Sequence, residues 1–227
     1  MGGEAATTDL RKFLENKYSL IPKDEDEKIV QTLTDLMAIG TDQMQPLKIF
    51  FDRVLRFVFR QFGFTEVAIG LRERNENIWR YEAVFGFKKD VETMLLRTRY
   101  DHDDMYSQAR FPNIKTGKLS ELNVAEGLPE VETDKYDRPF QWRGKRMTHE
   151  DFLPGDFLDF WMLDEKKEII GWIEVSGPID KKQPSRTTVR WLELLASMCS
   201  EILRYRYAEQ ESAWKQGASS SVAAAKF

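Results

Sequence analysis

The side chains best equipped to grip a molecule lie between positions 99 and 143. Tyr136-Asp137-Arg138-Pro139-Phe140-Gln141-Trp142-Arg143 interleaves aromatic planes with guanidinium forks, a combination that holds a flat or anionic ligand by stacking and bidentate hydrogen bonds. Arg99, Tyr106 and Arg110 can contribute from the facing part of the same region. The competing reading is structural: Arg138 and Arg143 pair with Glu130, Glu132 and Asp137, while Phe140 and Trp142 plug the core beneath a loop.

Two histidine-bearing acidic runs are the candidates for metal chemistry. Tyr100-Asp101-His102-Asp103-Asp104 concentrates oxygen and nitrogen donors, and Thr148-His149-Glu150-Asp151 offers a second set. Each also has a purely structural reading, as the acidic start of a helix and as a capping pair formed by Thr148 and Asp151. The expectation is therefore no cofactor, with His102 the outside candidate for haem or non-haem iron. Catalytic signatures are missing from the sequence: there is no G-x-S-x-G and no H-E-x-x-H. Gly117-Lys118 lacks the earlier glycine of a phosphate loop and is followed by Leu119. A single cysteine, Cys199, excludes an intramolecular disulfide and a thiolate metal cluster, and fits a cytoplasmic protein.

These residues need a scaffold, and the chain can supply one. At 227 residues it suits one large domain with extensions, and 41% hydrophobic side chains suffice for its core. A net charge of −4 argues against nucleic acid as partner. No apolar run approaches the roughly 20 residues of a membrane span. Met1-Gly2-Gly3-Glu4-Ala5-Ala6 begins like a myristoylation site but carries alanine where serine or threonine is required.

The pattern divides into residues 1–21 as a flexible leader, 22–40 as a helical extension, 41–214 as the main domain, and 215–227 as a disordered tail. Ile29, Val30, Leu33, Leu36 and Met37 recur at helical spacing until Gly40. A second helix is predicted from Thr41 or Asp42 as N-cap, with Pro46 in its first turn and Leu47, Phe50, Phe51, Val54, Phe57 and Val58 on one face. The period then becomes two. Val67, Ile69 and Leu71 alternate with polar or small residues, a turn follows at Asn75-Glu76-Asn77, and Trp79, Tyr81, Ala83, Phe85 and Phe87 are expected to share a face. Residues 88–156 lose periodicity and read as short helices, loops and at most a strand. Residues 157–163 and 168–176 form a second hairpin, with Ile170, Trp172, Glu174 and Ser176 on one face. A long helix opens at Pro184-Ser185 and carries Val189, Leu192, Leu195, Ala196, Cys199, Ile202 and Leu203 as its apolar stripe.

Helices bracketing an antiparallel sheet make the α+β class. Ile169-Ile170-Gly171-Trp172-Ile173-Glu174-Val175, followed by Asp180, Pro184-Ser185, Val189, Leu192-Glu193, Leu195-Ala196 and Ile202, resembles the closing signature of GAF domains. Phe62-Gly63-Phe64 before Val67-Ala68-Ile69 resembles that family's first helix-to-strand junction, and Thr116-Gly117-Lys118 a step common in its middle. The resemblance spans residues 42–207. It implies an antiparallel sheet with the N- and C-terminal helices on one face and an irregular helical and loop insert closing a pocket on the other.

The same resemblance implies a module that binds a small molecule or chromophore, or dimerises and transmits a signal. Phe160-Trp161-Met162-Leu163-Asp164-Glu165 matches the letters of the cyclic-nucleotide motif of such domains but falls in a strand and its turn. Cys199, on the apolar face of the closing helix, does not fit a pigment thioether, and one cysteine cannot complete the cycle of the sulfoxide reductases built on this fold. The expectation is a noncatalytic GAF-type sensory or regulatory module, a homodimer through the helices at 24–62 and 186–213. With no room for an output domain, it would signal to a separate protein. The alternative is a structural interaction subunit without ligand, its sheet face filled by Trp79, Tyr81, Phe85 and Trp172.

Overall fold

The computed structural model describes residues 12–15, 17–18, 21–73, 76–106, 113–127 and 146–224. The chain divides into two units, Met1–Asp35 and Leu36–Phe227. In the first, helix α1 (Glu25–Thr41) begins where Asp24 caps it: Asp24 Oδ1 accepts from Glu27 N at 2.8 Å, and Glu27 Oε2 accepts from Lys23 N at 2.7 Å.

In the second unit, α1 runs one residue past Gly40. That glycine allows a close approach, since a Cβ there would lie 2.5 Å from Ile202 Cδ1. Arg206, itself buried, donates from Nε to Gly40 O at 2.7 Å and from Nη2 to Gln45 O at 2.8 Å, supplying the donors that a helix C-terminus lacks. The second helix starts later than the sequence predicts. Asp42 to Gln45 form a turn, with Met44 N donating to Asp42 Oδ1, and Pro46 is the N-cap of α2 (Leu47–Phe62). Proline has no N–H to give a preceding turn, so the helix begins after it rather than running through it. Phe50, Phe51, Val54, Leu55, Phe57 and Val58 are buried, and Gly63 ends α2 at φ +68°.

Among the described residues, seven antiparallel strands follow in the order β3-β2-β1-β7-β6-β5-β4. They are β1 (Phe64–Arg72), β2 (Trp79–Phe85), β3 (Arg99–Tyr100), β4 (Asn113–Lys115), β5 (Ser120–Asn123), β6 (Phe157–Leu163) and β7 (Ile169–Pro178). Between β2 and β4 lie the short helices α3 (Lys89–Leu95) and α4 (His102–Tyr106), and a 3-10 turn (Ala125–Gly127) follows β5. The region expected to be irregular thus carries β3, β4 and β5.

Two bulges reset which side chains share a face. In β2, Ala83 stands opposite Ile69 but Tyr81 stands opposite Gly70, so Glu82 is an extra residue. Ala83 and Phe85 consequently turn to the side opposite Tyr81, and Phe85 meets Phe59 of α2 at 5.0 Å between ring centroids. The expected common face for Trp79, Tyr81, Ala83 and Phe85 is corrected accordingly. In β7, Met162 pairs with Gly171 and Leu163 with Ile169, so Ile170 is the extra residue and Ile169, not Ile170, joins the face of Trp172.

Ala83, Ile69, Ile173, Phe160 and Ser120 form one cross-sheet row on the helix face. There α2 packs on β1 and β2, and the closing helix α5 (Arg186–Ala224) packs on β6 and β7. Both helices therefore cover one face, as the α+β reading requires. Ser185 Oγ accepts from Thr188 N at the start of α5. The helix continues through Ala224, beyond the point where the sequence reads as a disordered tail. Small residues without an apolar stripe hide it from periodicity, yet alanine is the best helix former. No helix among the described residues is long and apolar enough to cross a membrane.

Candidate functional site

On the face away from α2 and α5, the strand registers build three rows of side chains. Lys115, Glu121, Asp159, Glu174 and Ala68 lie opposite one another in turn across five strands. One pair along, the row reads Asn113, Asn123, Phe157, Ser176 and Glu66; one pair the other way, it reads Trp161, Trp172, Gly70 and Tyr81. Glycine at position 70 is required, because a Cβ would sit 2.0 Å from Trp172 Cη2: the indole lies across the backbone of β1.

Tyr81 meets Trp172 edge-on at 5.1 Å, and Tyr100 meets both Trp172 and Tyr81 at 5.9 Å. Trp79 Nε1 donates to Ile169 O at 3.0 Å. This aromatic packing fills the sheet over β2, β1 and the start of β7. Beside it, over β5, β6 and β7, opens a cavity of about 420 Å³ lined by Tyr81, Tyr100, Trp161, Trp172, Asp159 and Glu174 among others.

The cavity's polar groups are largely buried: Asp159 is 7% exposed, Glu174 3% and Asn123 2%. Tyr81 Oη donates to Glu174 Oε2 at 2.7 Å and accepts from Tyr100 Oη at 3.4 Å. Asn123 Nδ2 donates to Asp159 Oδ2 at 3.0 Å, and Asn113 Nδ2 to Glu121 Oε2 at 2.6 Å. Asn123 Oδ1 is buried and has no hydrogen-bond partner among the described residues. Among the described residues, four carboxylates (Asp104, Glu121, Asp159, Glu174) and two lysines (Lys115, Lys167) line the space, the lysines on exposed positions.

The sheet edge beneath this site is tied to the closing helix. Glu193, buried on α5, accepts from Leu119 N at 2.7 Å and Ser120 Oγ at 3.1 Å, which anchors the β4–β5 turn to α5. A second buried carboxylate, Asp156, organises the chain on either side of residues 128–145. It accepts from Ala125 N at 2.9 Å, Leu153 N at 2.8 Å and Arg146 Nη2, while Arg146 also makes a two-pronged pair with Glu126. The Arg146 hydrogen bond holds the Glu126 carboxyl below the ordinary glutamate range.

Of the residues that the sequence marks for ligand binding, Tyr106 lines the cavity, with Oη accepting from Ile169 N at 2.9 Å. Arg99 is not among the lining residues; its guanidinium pairs with Glu73 at 3.1 Å. Arg110, Tyr136, Arg138, Trp142 and Arg143 lie outside the described residues. His102 is exposed and stacks on Tyr106 at 4.6 Å, and among the described residues no group of three or more ligating side chains could hold a metal.

The two acidic runs make local hydrogen bonds. Asp101 and Asp104 cap α4 reciprocally, each backbone N–H donating to the other's carboxylate at 2.9 Å. Asp151 accepts from Thr148 N and Oγ1 and from Lys182 Nζ at 2.7 Å. Cys199 is fully buried, and burial pushes its thiol above the ordinary range. Sequence reasoning missed Glu121, Asn123, Asp159 and Glu174. The available signal was a carboxylate at an alternating position inside two otherwise apolar strands, Phe157-Leu158-Asp159-Phe160-Trp161 and Trp172-Ile173-Glu174-Val175.

This sheet order, with terminal helices on one face and a cavity under an insert on the other, is a GAF fold. Solved GAF structures match over most of the chain. A GAF/HD domain protein from Geobacter sulfurreducens is 12% identical with a TM-score of 0.53, covering 76% of this chain and 98% of that one. The GAF domain of an Acinetobacter phosphoenolpyruvate-protein phosphotransferase is 12% identical with a TM-score of 0.50, covering 79% and 94%. A free methionine-R-sulfoxide reductase from Neisseria meningitidis, solved with its substrate, is 10% identical with a TM-score of 0.51, covering 83% and 96%. No protein-family model and no curated protein matches the sequence.

Proposed function

We propose that the chain is a noncatalytic sensory or regulatory GAF module that holds a small ligand in the cavity and passes the signal to a separate partner. The observation that carries this reading is the cavity itself. Its 420 Å³ is in the size range of small-molecule sites, and it combines aromatic walls with a few convergent polar groups. The fold is shared with a reductase, but here the one thiol is buried in the helix-face core, away from the cavity, which supports binding over thiol chemistry.

The competing reading, an interaction subunit without ligand, calls for Trp79, Tyr81, Phe85 and Trp172 to fill the sheet face. Three of them pack there, but Phe85 faces α2, and the space over β5 to β7 stays open. Native mass spectrometry of freshly purified protein, set beside its denatured mass, tests the choice. Excess mass lost on denaturation supports the module, and a clean apo species supports the subunit. Dimerisation through the terminal helices belongs to the same proposal. A strict monomer by light scattering at tens of micromolar would count against it.

A further inference from the structure

Arg72, Arg80, Arg99, Arg146, Arg190 and Arg204 each form an ion pair with a carboxylate. The cations of α2 do not. Lys48, Arg53, Arg56 and Arg60 are exposed, and none has a carboxylate partner among the described residues, although acids outnumber bases in the chain. Arg56 stands three residues from Arg53 and four from Arg60, the spacing at which like charges on a helix repel. With Ile49, also exposed, they form one line along the helix, turned away from the buried Phe51, Val54 and Val58. An acidic surface laid against such a line relieves the repulsion. The isoleucine within it and Asp52 beside it suit a protein surface rather than a run of phosphates.

Helix α1 supplies the complementary chemistry. Asp26 and Asp35 are exposed and have no cation partner among the described residues, and Asp24 and Glu27 add exposed carboxylates at the start of the helix. Acids in a first turn complement the helix dipole, but Asp35 lies in the second half of α1, where the dipole gives it no support. Val30 and Met37 stay exposed on the same helix.

We infer that the chain pairs with a second copy of itself, the basic face of α2 in one protomer lying against the acidic face of α1 in the other, and the reverse. The two-fold relation makes each contact twice. Exposed ion pairs add little affinity of their own, so the charges select which faces meet, while Ile49, Val30 and Met37 supply apolar area to bury. The inference rests on the reading of the chain as a dimer through its terminal helices, and it assigns the contact to two faces of opposite charge.

Sedimentation velocity of the full chain in low and in high salt tests it. The expected result is a dimer whose dissociation constant rises about tenfold or more in high salt, because exposed charges are screened. It should rise at least as far in Arg53→Glu/Arg56→Glu/Arg60→Glu and in Asp26→Lys/Asp35→Lys, the latter sparing the cap formed by Asp24 and Glu27. Mixed in equal amounts, the two reversed proteins should form a mixed dimer, since each still presents one original face and now fits the other's altered one. Circular dichroism checks each variant's fold, and Arg53→Glu alone carries the test if the triple change does not fold. A dimer that ignores salt and both reversals, or reversed proteins that stay apart when mixed, overturns the assignment of faces and leaves dimerisation standing. A DNA duplex bound by the parent and not by the arginine variant overturns it in favour of phosphate. A strict monomer in low salt overturns both the faces and the dimer.

Discussion

Asp159 and Glu174 stand directly opposite each other on adjacent antiparallel strands, both buried and both facing the same cavity. Each receives a hydrogen bond from a neutral side chain, Asn123 in one case and Tyr81 in the other. Two acidic side chains thus meet across the β6–β7 pair, each accepting from a donor on another strand of the same sheet face.

Tyr81→Phe should therefore cost about 2 kcal/mol, the usual loss when a buried carboxylate gives up a hydrogen-bond donor. Urea denaturation measures it. Loss well under 0.5 kcal/mol would mean that the Tyr81 hydroxyl does not support Glu174.

Gly70→Ala forces the Trp172 indole off β1. The expected penalty is about 1–3 kcal/mol for overpacking, with a change in tryptophan fluorescence as the ring moves. An unaltered emission spectrum and unaltered melting would contradict the described approach of ring to backbone.

The Asp151 carboxyl is held well below the usual carboxylate range, first by its hydrogen bond to Lys182 and then by those from Thr148. A lowered acid pKa contributes stability above the unfolded value, near pH 4, which is lost as pH falls through the folded one. Melting of the parent and Lys182→Met should differ more at neutral pH than in strong acid. An equal gap at both would show that the pair is not coupled to folding.

Glu193→Ala removes the acceptor for Leu119 N and Ser120 Oγ at once. Hydrogen exchange of the Leu119 amide should accelerate, and stability should fall by roughly 2 kcal/mol as buried donors lose their partner. An amide that stays protected would locate the anchor of the β4–β5 turn elsewhere.

The parts of the fold legible in the sequence were those with a sustained period: the two hairpins, the closing helix, and the family resemblance at residues 169–202. β3, β4 and β5 were not, because strands of two to four residues such as Arg99–Tyr100 and Asn113–Lys115 are too short to show alternation. Bulges were equally invisible, since Glu82 and Ile170 look like ordinary members of a run. For the site, aromatic and arginine residues are marked by their type alone, and of these Tyr106 does line the cavity. Asp159 and Glu174 passed as strand residues because their meeting depends on register between segments that only the fold brings together.

The bulge at Glu82 makes β2 a strand with divided membership. Its first half sends Trp79 and Tyr81 to the face that carries the cavity, and its second half sends Ala83 and Phe85 into the core beneath α2. Strict alternation through all seven residues, with no bulge, would instead exchange the face of every side chain beyond Tyr81, stripping Phe59 of its partner ring and turning Phe85 toward the cavity side of the sheet. A single position in the chain therefore decides which of two interiors half a strand helps to build.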